Sequence, residues 1–280
     1  MKPVVAVIAA GAMGSAVAKK LTDNGVEVLT SLAGRSASSA ARARDAGMRA
    51  VNEEEIAAAD IFLSIVPPGD ALALAQRFAP HLERSNHKPI YVDCNAINPD
   101  TVARLAPVVA ATGAPFVDAG IIGPPPKSGN RTIFYASGAD APRITVLNDY
   151  GLEVRVLGDA LGAASVLKMS YAGITKGFTA ISSAMMLAAT RNGTAEALRA
   201  ELAESQPDFT KWLSRQVPNM YAKAYRWVAE MEEIAAFVGE DAAARQMFEG
   251  SARFYEQIAA DDAGEKKETA ALTAFLKARQ

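Results

Sequence analysis

Cysteine is nearly absent from this sequence, which carries Cys94 as its single thiol among 280 residues. One cysteine cannot form an intrachain disulfide or a multi-thiolate metal site, and a chain without disulfides suits a reducing compartment. Histidine is also scarce: His81 and His87 are the only two, and neither lies in a cluster of potential metal ligands. We therefore expect a cytoplasmic protein without a metal site.

The chain also lacks a strong excess of charge of either sign. Its formal net charge is −2, which leaves no basic stripe for a nucleic acid backbone or an anionic membrane surface. Charges, glycine or proline interrupt every apolar run before it reaches the roughly 20 residues that span a bilayer. The first run, residues 4–18, has the composition of an export signal, but its glycines have a phosphate-loop spacing, which favours mature protein. Neither nucleic acid nor a membrane is expected as a partner.

The first half of the chain alternates short apolar runs with amphipathic segments. Helix-start signals separate the runs, such as Asn52 followed three residues later by Glu55. This order is typical of a parallel sheet covered by helices. Two later runs, Thr132–Ser137 and Leu152–Leu157, predict a hairpin with a short helix between its strands. The other predicted strands are Val4–Ala9, Val26–Ser31, Ile61–Val66, Ile90–Asp93 and Phe116–Ile121.

The second half carries no strand pattern. Residues Ala160–Arg191 contain no proline and predict one long helix, and further helices are predicted at Val217–Val238 and Asp241–Ala259. We therefore predict an α/β sheet domain over residues 1–159, followed by an all-α domain over residues 160–280, with a long inter-domain helix joining them. The helical half is rich in apolar residues, which indicates a homodimer in which helices of two chains interleave.

The first predicted strand runs into a glycine turn, Gly11, Ala12, Met13 and Gly14. Backbone N–H groups at a helix N-terminus carry partial positive charge, and glycine lets phosphates approach the chain closely. Gly11 and Gly14 occupy the second and third glycine positions of the dinucleotide fingerprint, and Ala9 occupies the first. The pattern predicts a Rossmann-type domain that binds a pyrophosphate. Tight packing of strand on helix without a ligand is the alternative interpretation.

The end of the second predicted strand indicates which dinucleotide is bound. In NAD-preferring domains an acidic residue there bonds the ribose 2′-hydroxyl, but this strand ends without a carboxylate. Ser31, Arg35 and Ser36 instead offer hydroxyl groups and a guanidinium that could hold a 2′-phosphate through charge-assisted hydrogen bonds. We predict NADP as the cofactor, with NAD as the alternative. A solvent-facing Arg35 before a helix is the other interpretation of these residues.

Four segments, in this order and spacing, resemble the β-hydroxyacid dehydrogenase and 6-phosphogluconate dehydrogenase superfamily. The resemblance spans nearly the whole chain, and residues 225–234 are similar to an uncharacterised subgroup with a shortened helical domain. It implies that Val66, Pro67 and Pro68 flank the nicotinamide ribose and that Asn95 lies near the nicotinamide ring. A homodimer is also typical of these relatives. The four segments are residues 11–14, residues 64–68, residues 93–96, and residues 117–120 together with Lys168 and Met169.

The same resemblance implies that Lys168 is the catalytic acid/base. Its neighbours on the predicted helix are otherwise small and apolar, and burial among them would lower the pKa of the ammonium toward the working pH. Such a lysine could accept the alcohol proton as the hydride leaves and return it in the reverse reaction.

The predicted substrate residues differ from the family pattern on the helix that carries Lys168. Tyr171, Ala172 and Thr175 follow Lys168 on one helical face. Ala172 stands where the relatives have asparagine, and Thr175 replaces the glutamate used in sugar-acid decarboxylation. Gluconate 6-phosphate is therefore not expected as the substrate.

The predicted substrate loop differs as well. Gly120, Ile121, Ile122 and Gly123 stand where the relatives use Ser-Gly-Gly to bind a carboxylate, and the Ile122 side chain cannot donate a hydrogen bond. A less polar pocket favours a small ketone, alcohol or imine. For an acid substrate, the candidate donors are Lys127, Asn130, Arg131 and Arg226.

These observations predict an NADP-dependent oxidoreductase that transfers a hydride between nicotinamide and a small alcohol, ketone or hydroxyacid. Two alternatives stay open. One is an imine reductase on the same fold, although those enzymes usually carry aspartate or tyrosine where Lys168 stands. The other is a non-catalytic NADP-binding sensor or scaffold, which the altered pocket would favour if it means lost chemistry.

Overall fold

A computed structural model of the chain describes residues 2–127 and 129–277. The chain divides into two compact units, Met1–Met169 and Ser170–Gln280. The first unit contains the sheet, and the second unit is helical in all of its described secondary structure.

The first unit holds one sheet, which has eight strands within residues 2–127 and 129–277, in the order β3-β2-β1-β4-β5-β6-β7-β8. Neighbouring strands pair in parallel except β6 and β7, which are antiparallel. The strands are Val4–Ile8 (β1), Glu27–Thr30 (β2), Arg49–Ala50 (β3), Ile61–Ser64 (β4), Ile90–Asp93 (β5), Phe116–Ile122 (β6), Ile133–Ser137 (β7) and Glu153–Gly158 (β8). The helices of this part are Ala12–Asp23 (α1), Ala37–Asp45 (α2), Glu53–Ala57 (α3), Ala71–Arg84 (α4) and Pro99–Ala110 (α5), with 3-10 helices at Pro68–Asp70 and Ala141–Tyr150.

Helices cover both faces of this sheet. Successive residues of a strand point to opposite faces, and the apolar side chains on each face pack against helices. Val5 and Val7 of β1 belong to a core cluster with Leu21 of α1 and Leu147 of the 3-10 helix. The alternate β1 residues, such as Ala6, belong to a second cluster with residues of α3, α4 and α5. The strands are therefore buried on both sides, which explains why their sequences are continuous apolar runs.

The crevice at the carboxyl ends of the strands follows from the strand order. β1 lies between β2 and β4, so the chain leaves β1 toward β2 and later returns to the other side of β1. Ligands of open α/β sheets bind where the strand order reverses in this way. The loops after β1 and β4 meet there, since the backbone N–H of Ala9 donates to the carbonyl oxygen of Ile65 at 3.1 Å.

The predicted hairpin at the end of this unit is wrong. β7 pairs with β8 in parallel, and its antiparallel partner is β6, with Asp118 opposite Ser137 and Ile122 opposite Ile133. The 3-10 helix Ala141–Tyr150 forms the crossover that a parallel pair requires. No sequence pattern predicted β3, whose two residues are both exposed.

The helix α6, Ala163–Arg191, begins in the first unit and continues into the second. It starts three residues later than predicted, after Gly162, whose φ of 91° is outside the helical range. The second unit continues with Ala195–Ser205 (α7), Pro207–Met220 (α8), Ala224–Phe237 (α9), Ala242–Ala263 (α10) and Lys267–Leu276 (α11). The single helix predicted at Val217–Val238 is wrong, because the 3-10 turn Tyr221–Lys223 separates α8 from α9.

Helices of the second unit pack closely against one another. A Cβ atom at Gly173 of α6 would lie 3.3 Å from the ring of Phe248 and 3.4 Å from the side chain of Ile234, so α10 and α9 lie directly against α6 at this point. None of the described helices is both long enough and apolar enough to cross a membrane. The predicted fold class, a Rossmann-type sheet followed by helices, is confirmed.

Candidate functional site

The glycine turn after β1 has two glycines with different physical roles. A Cβ atom at Gly14 would overlap the carbonyl oxygen of Ala9, so this position must be glycine for α1 to pack on β1. A Cβ atom at Gly11 would have no atom within 4 Å, so packing within the described protein does not require glycine there. Gly11 instead leaves the space before the first turn of α1 open.

That first turn carries donors suited to an anion. Gly11 is the N-cap of α1 and has no side chain to cap the turn, which contains no acidic residue. The first backbone N–H groups of a helix have no intrahelical acceptor and carry partial positive charge. The predicted cofactor residues Ala12 and Met13 supply two of these N–H groups. The open space and the uncapped turn fit a bound pyrophosphate.

Ser31, Arg35 and Ser36 lie in the loop between β2 and α2, as the sequence predicts for the ribose end of the site. Ser31 is buried, whereas Arg35 and Ser36 are exposed. The Ser36 hydroxyl caps α2 by accepting from the backbone N–H of Ser39 at 3.3 Å. The structure adds Arg42, which the sequence did not single out. Its Nε donates to the carbonyl oxygen of Ala10 at 2.9 Å.

Asn95 connects the ends of β4 and β5. It is 3% exposed, and its Oδ1 accepts from the backbone N–H of Val66 at 2.6 Å. Its Nδ2 donates to Ser64 Oγ at 2.8 Å and to Asp93 Oδ1 at 2.5 Å. These bonds hold the start of the loop that continues through Pro67 and Pro68. Asn95 therefore orients the loop predicted to flank the nicotinamide ribose.

A row of buried polar side chains crosses the sheet beside Asn95. Ser64, Asp93, Asp118 and Ser137 are register partners on β4, β5, β6 and β7, and none of them has accessible surface. Burial raises the pKa of Asp93 to about 7, with a further increase from the charge of Asp118, while hydrogen bonds from Asn95 and Ser64 oppose the shift. Burial also raises the pKa of Asp118. The sequence had marked both carboxylates only as parts of family-like segments.

Asp118 anchors the first turn of α6. Its Oδ2 accepts from the backbone N–H of Ser165 at 3.0 Å and from Ser137 Oγ at 3.0 Å, and its Oδ1 accepts from Ser165 Oγ at 2.7 Å. Ser137 Oγ in turn accepts from the backbone N–H of Ala164 at 3.0 Å. The start of α6 is therefore fixed to β6 and β7 by buried hydrogen bonds.

Lys168 lies one turn further along α6, at the end of β6. A Cβ atom at Gly120 would lie 2.9 Å from the Lys168 Cβ and 2.9 Å from the Ala164 carbonyl oxygen, so glycine lets the helix approach the strand. The partly buried Lys168 Nζ donates to the carbonyl oxygen of Ile121 at 2.8 Å. The structure thus brings together Lys168, Gly120 and Ile121, which the sequence had assigned to catalysis and to the substrate loop.

In the rest of the predicted substrate loop, Ile122 is the last residue of β6 and Gly123 follows the strand. Ile122 is partly buried, and Gly123 has a φ of 126° and packs tightly against the backbone of Arg131 and Thr132, so this turn requires glycine. Among the alternative carboxylate donors, Arg131 forms an ion pair with Glu153 at 3.1 Å. Asn130 donates to the carbonyl oxygen of Pro125 at 3.3 Å. Both donors therefore already have partners within the protein.

Tyr171, Ala172 and Thr175 belong to the second unit. Tyr171 is exposed and Ala172 is buried. The hydroxyl of Thr175 donates to the Tyr171 carbonyl oxygen at 2.8 Å, so its proton is used within the helix. Two other alternative donors, Lys127 and Arg226, are exposed. The Arg226 guanidinium lies 5.8 Å from the ring centre of Tyr225.

No group of three or more histidine, cysteine, aspartate or glutamate residues with metal-binding geometry occurs within residues 2–127 and 129–277. His81 lies 2.9 Å from Glu53, and His87 lies 3.1 Å from Asp60. Each histidine is therefore paired with a carboxylate in α3 or shortly after it.

Two family models match the sequence. Residues 4–149, more than half of the chain, match the NAD binding domain of 6-phosphogluconate dehydrogenase, and residues 189–258 match a domain of unknown function (DUF1932). A curated relative, the uncharacterized 28.5 kDa protein in the 7S RNA 5′ region of Methanothermus fervidus, is 28% identical over 216 residues. That match covers 76% of this chain and 82% of the relative.

Solved structures of similar fold cover nearly the whole chain. The conserved protein MTH1747, of unknown function and described as structurally similar to 3-hydroxyacid dehydrogenases, is 32% identical with a TM-score of 0.72, over 96% of this chain and 98% of its own. The 3-hydroxyisobutyrate dehydrogenase of Mycobacterium tuberculosis is 17% identical with a TM-score of 0.72, over 99% and 100% of the two chains. An imine reductase of Myxococcus stipitatus in complex with NAD+ is 20% identical with a TM-score of 0.61, over 99% and 100%.

At 17% and 20% identity, the likeness to the dehydrogenase and to the imine reductase shows a shared fold alone. The match over residues 4–149 and the 32% identity to MTH1747 go further and confirm the resemblance noted in the sequence. The chain belongs to the family of proteins built on the NAD binding domain of 6-phosphogluconate dehydrogenase.

Proposed function

We propose that this chain is an NADP-dependent oxidoreductase that transfers a hydride between nicotinamide and a small alcohol, ketone or hydroxyacid, with Lys168 as the general acid/base. The observation that carries the proposal is the bond from Lys168 Nζ to the carbonyl oxygen of Ile121, 2.8 Å long. It holds the amine at the carboxyl end of β6, on the side of the sheet where ligands of α/β folds bind.

The residues at the crevice fit a dinucleotide. The uncapped first turn of α1 and the open space at Gly11 suit the pyrophosphate. The loop from Val66 to Pro68, held by Asn95, would lie beside the nicotinamide ribose, and Ser31, Arg35 and Ser36 would hold the 2′-phosphate of NADP. When bound, the nicotinamide supplies the hydride acceptor or donor.

The chain's own contribution to the reaction is to move a proton at Lys168 Nζ. In the oxidative direction, the amine accepts the substrate hydroxyl proton as the C–H bond gives up its hydride and the carbonyl forms. In the reductive direction, the ammonium returns that proton to the carbonyl oxygen. The bond to Ile121 orients the amine, and the anchored first turn of α6 fixes the backbone that carries it.

The loop chemistry favours a substrate of low polarity. Ile121 and Ile122 stand at the end of β6, and the polar side chains Asn130 and Arg131 are engaged with Pro125 and Glu153. An anionic substrate that used Asn130 or Arg131 would have to displace one of these contacts, whereas a small alcohol or ketone would not. Small alcohols and ketones are therefore the first substrates to test, ahead of hydroxyacids.

A substrate panel tests the proposal directly. Purified protein is mixed with NADPH and with ketones, keto acids or cyclic imines, and cofactor oxidation is followed by absorbance. The Lys168→Ala variant should lose turnover roughly 100- to 10,000-fold while it still binds NADPH, because a general acid/base contributes about that much. Lys211→Ala, at an exposed position of α8, is the matched control.

The outcomes separate the competing functions. Turnover of cyclic imines alone would replace the proposal with an imine reductase. NADPH binding without turnover on any substrate would indicate a sensor or scaffold. Equal turnover by wild-type protein and Lys168→Ala would remove Lys168 from the mechanism.

We also propose that the chain forms a homodimer. Five large apolar side chains of α6 in the second unit are between 48% and 61% exposed. Their spacing of three and four residues places them in one stripe along the helix. An exposed stripe of this kind is typical of a helix that packs against another protein surface. The five residues are Tyr171, Ile174, Phe178, Ile181 and Met185.

A further inference from the structure

Arg42 reaches from α2 to the loop that begins the dinucleotide site. Its Nε donates to the carbonyl oxygen of Ala10 at 2.9 Å, and its Nη2 donates to Ser39 Oγ at 3.0 Å. Ala10 immediately precedes Gly11. The hydroxyl of Ser36, the N-cap of α2, donates to Ser39 Oγ at 3.2 Å. The guanidinium is therefore held between the loop after β1 and the first turn of α2.

The charge of Arg42 has no carboxylate partner among the described residues. By contrast, Arg49 and Arg77 form ion pairs with Glu27 and Glu53. Arg42 is partly buried, and its two hydrogen bonds go to a carbonyl and a hydroxyl, both neutral. A guanidinium has five N–H donors, so most of its donor capacity is left over. A partly desolvated cation in this state is stabilised by an anion that binds beside it.

We infer that Arg42 is a specificity-determining residue, which selects NADP over NAD by donating to the 2′-phosphate while its Nε positions the loop at Ala10. This inference rests on the proposed function. In Rossmann domains the ribose 2′ substituent lies near the end of the second strand, where a carboxylate favours NAD and an arginine favours NADP. Residues 30–36 contain no carboxylate, and Arg42 is linked to this loop through the Ser39 hydroxyl, which accepts from Arg42 and from Ser36.

Arg42 differs from Arg35 in the hydrogen bonds of its side chain. The Arg35 side chain is exposed and makes no hydrogen bond or ion pair within residues 2–127 and 129–277. It would have to lose its rotamer freedom when it binds a phosphate, whereas the two hydrogen bonds of Arg42 already restrict that side chain. The planar guanidinium fork suits a phosphate, so the pre-oriented arginine makes the larger contribution to selectivity.

Calorimetry with two nucleotides tests the inference without any substrate. Adenosine 2′,5′-bisphosphate carries the 2′-phosphate, and AMP lacks it. With the full-length protein, Arg42→Ala should weaken binding of the bisphosphate by roughly tenfold or more, the loss expected for a charge-assisted hydrogen bond. Binding of AMP should change by less than about threefold. Arg44→Ala, which removes an exposed charge from the same helix, should leave both affinities unchanged.

Arg42→Gln separates charge from positioning. Glutamine keeps a neutral donor for the Ala10 carbonyl oxygen, so the loop is retained, but it should lose affinity for the bisphosphate as Arg42→Ala does. Equal weakening of both nucleotides by Arg42→Ala, or full affinity for the bisphosphate in Arg42→Gln, would overturn the inference and leave Arg42 with a positioning role. Wild-type protein that binds neither nucleotide would overturn the proposed function itself.

Discussion

Asp93 and Asp118 are register partners on the neighbouring parallel strands β5 and β6, and both carboxyl groups are fully buried. The donors to them are neutral: Asn95 bonds Asp93, and Ser137 and Ser165 bond Asp118. Two adjacent carboxylates in this setting resist ionisation together, because burial and mutual repulsion both disfavour the second negative charge. One of these two carboxyl groups therefore keeps its proton at a pH where exposed carboxyl groups are ionised.

This retained proton makes stability depend on pH in a specific direction. The pKa of Asp93 is about 7 in the folded protein, above the ordinary value near 4 that it has in the unfolded chain. The folded state therefore holds a proton that the unfolded state has released. The contribution of Asp93 to the free energy of unfolding is fully present below about pH 4 and is lost as the pH rises through about 7. We expect the urea midpoint to fall between about pH 5 and about pH 8.

Asp93→Asn isolates this contribution. Asparagine is always neutral, so the fall in the urea midpoint between these two pH values should be smaller in the variant than in the wild type. Groups that do not interact with Asp93 titrate equally in both proteins, and their effects cancel in the comparison. Asp118 has no charged neighbour at position 93 in the variant, which reduces the fall further. A variant with the same pH dependence as the wild type would show that Asp93 is already ionised throughout this range.

A pair of glycine substitutions distinguishes packing from cofactor binding. Gly11→Ala places its methyl group in open space at a φ of −74°, so the free energy of unfolding should change by less than about 1 kcal/mol. Gly14→Ala overlaps the Ala9 carbonyl oxygen and should cost about 1–3 kcal/mol. Both can be measured by urea unfolding of the free protein.

Gly11→Ala should nevertheless weaken NADPH binding by roughly tenfold or more, equivalent to about 1.4 kcal/mol. Its methyl group would occupy the space in front of the α1 N-terminus. Fluorescence titration with NADPH measures this effect. Wild-type affinity in Gly11→Ala would mean that the pyrophosphate does not approach this part of the loop.

The sequence predicted the parallel sheet well because its strands are buried on both faces and read as continuous apolar runs. It did not predict β3, since Arg49 and Ala50 are exposed and two residues carry no pattern. The prediction that β7 and β8 form an antiparallel hairpin was wrong, because a strand pattern does not indicate the relative direction of two strands. Residues 138–152 form a connection long enough for a parallel crossover, and that length was the available signal.

The sequence indicates candidate-site residues that stand in local motifs, but it does not indicate contacts between residues distant in sequence. Gly11, Gly14 and Lys168 stand in recognisable local patterns. Arg42 is 32 residues from Ala10 and looks like any solvated arginine on an alanine-rich helix. Asp118 and Ser165 are 47 residues apart, and the packing of α6 against β6 brings them together. Such contacts follow from the packing of the fold, and local sequence patterns do not predict them.

A double-mutant cycle tests the anchoring of α6. Ser165→Ala removes one buried hydrogen bond to Asp118 and should cost about 1–2 kcal/mol. Asp118→Ala leaves the N–H and hydroxyl of Ser165 and the hydroxyl of Ser137 without their acceptor, so it should cost more than Ser165→Ala. In the Asp118→Ala background, Ser165→Ala should cost little, because the interaction is already lost. Additive costs would show that the two residues do not act together. Ser214→Ala, at an exposed position of α8, is the serine control.

The apolar stripe of α6 predicts the effect of a charge on assembly. Ile174 is 61% exposed in the second unit, the most exposed of the five stripe residues. Ile174→Glu should leave the fold intact, because the side chain contributes little to the core of one chain. It should nevertheless lower the mass measured by analytical ultracentrifugation from dimer to monomer, since a buried unpaired carboxylate is strongly unfavourable. Met247→Glu changes an equally exposed apolar residue of α10 outside the stripe and should remain dimeric. Dimers of Ile174→Glu as stable as those of the wild type would exclude this face of α6 as the interface.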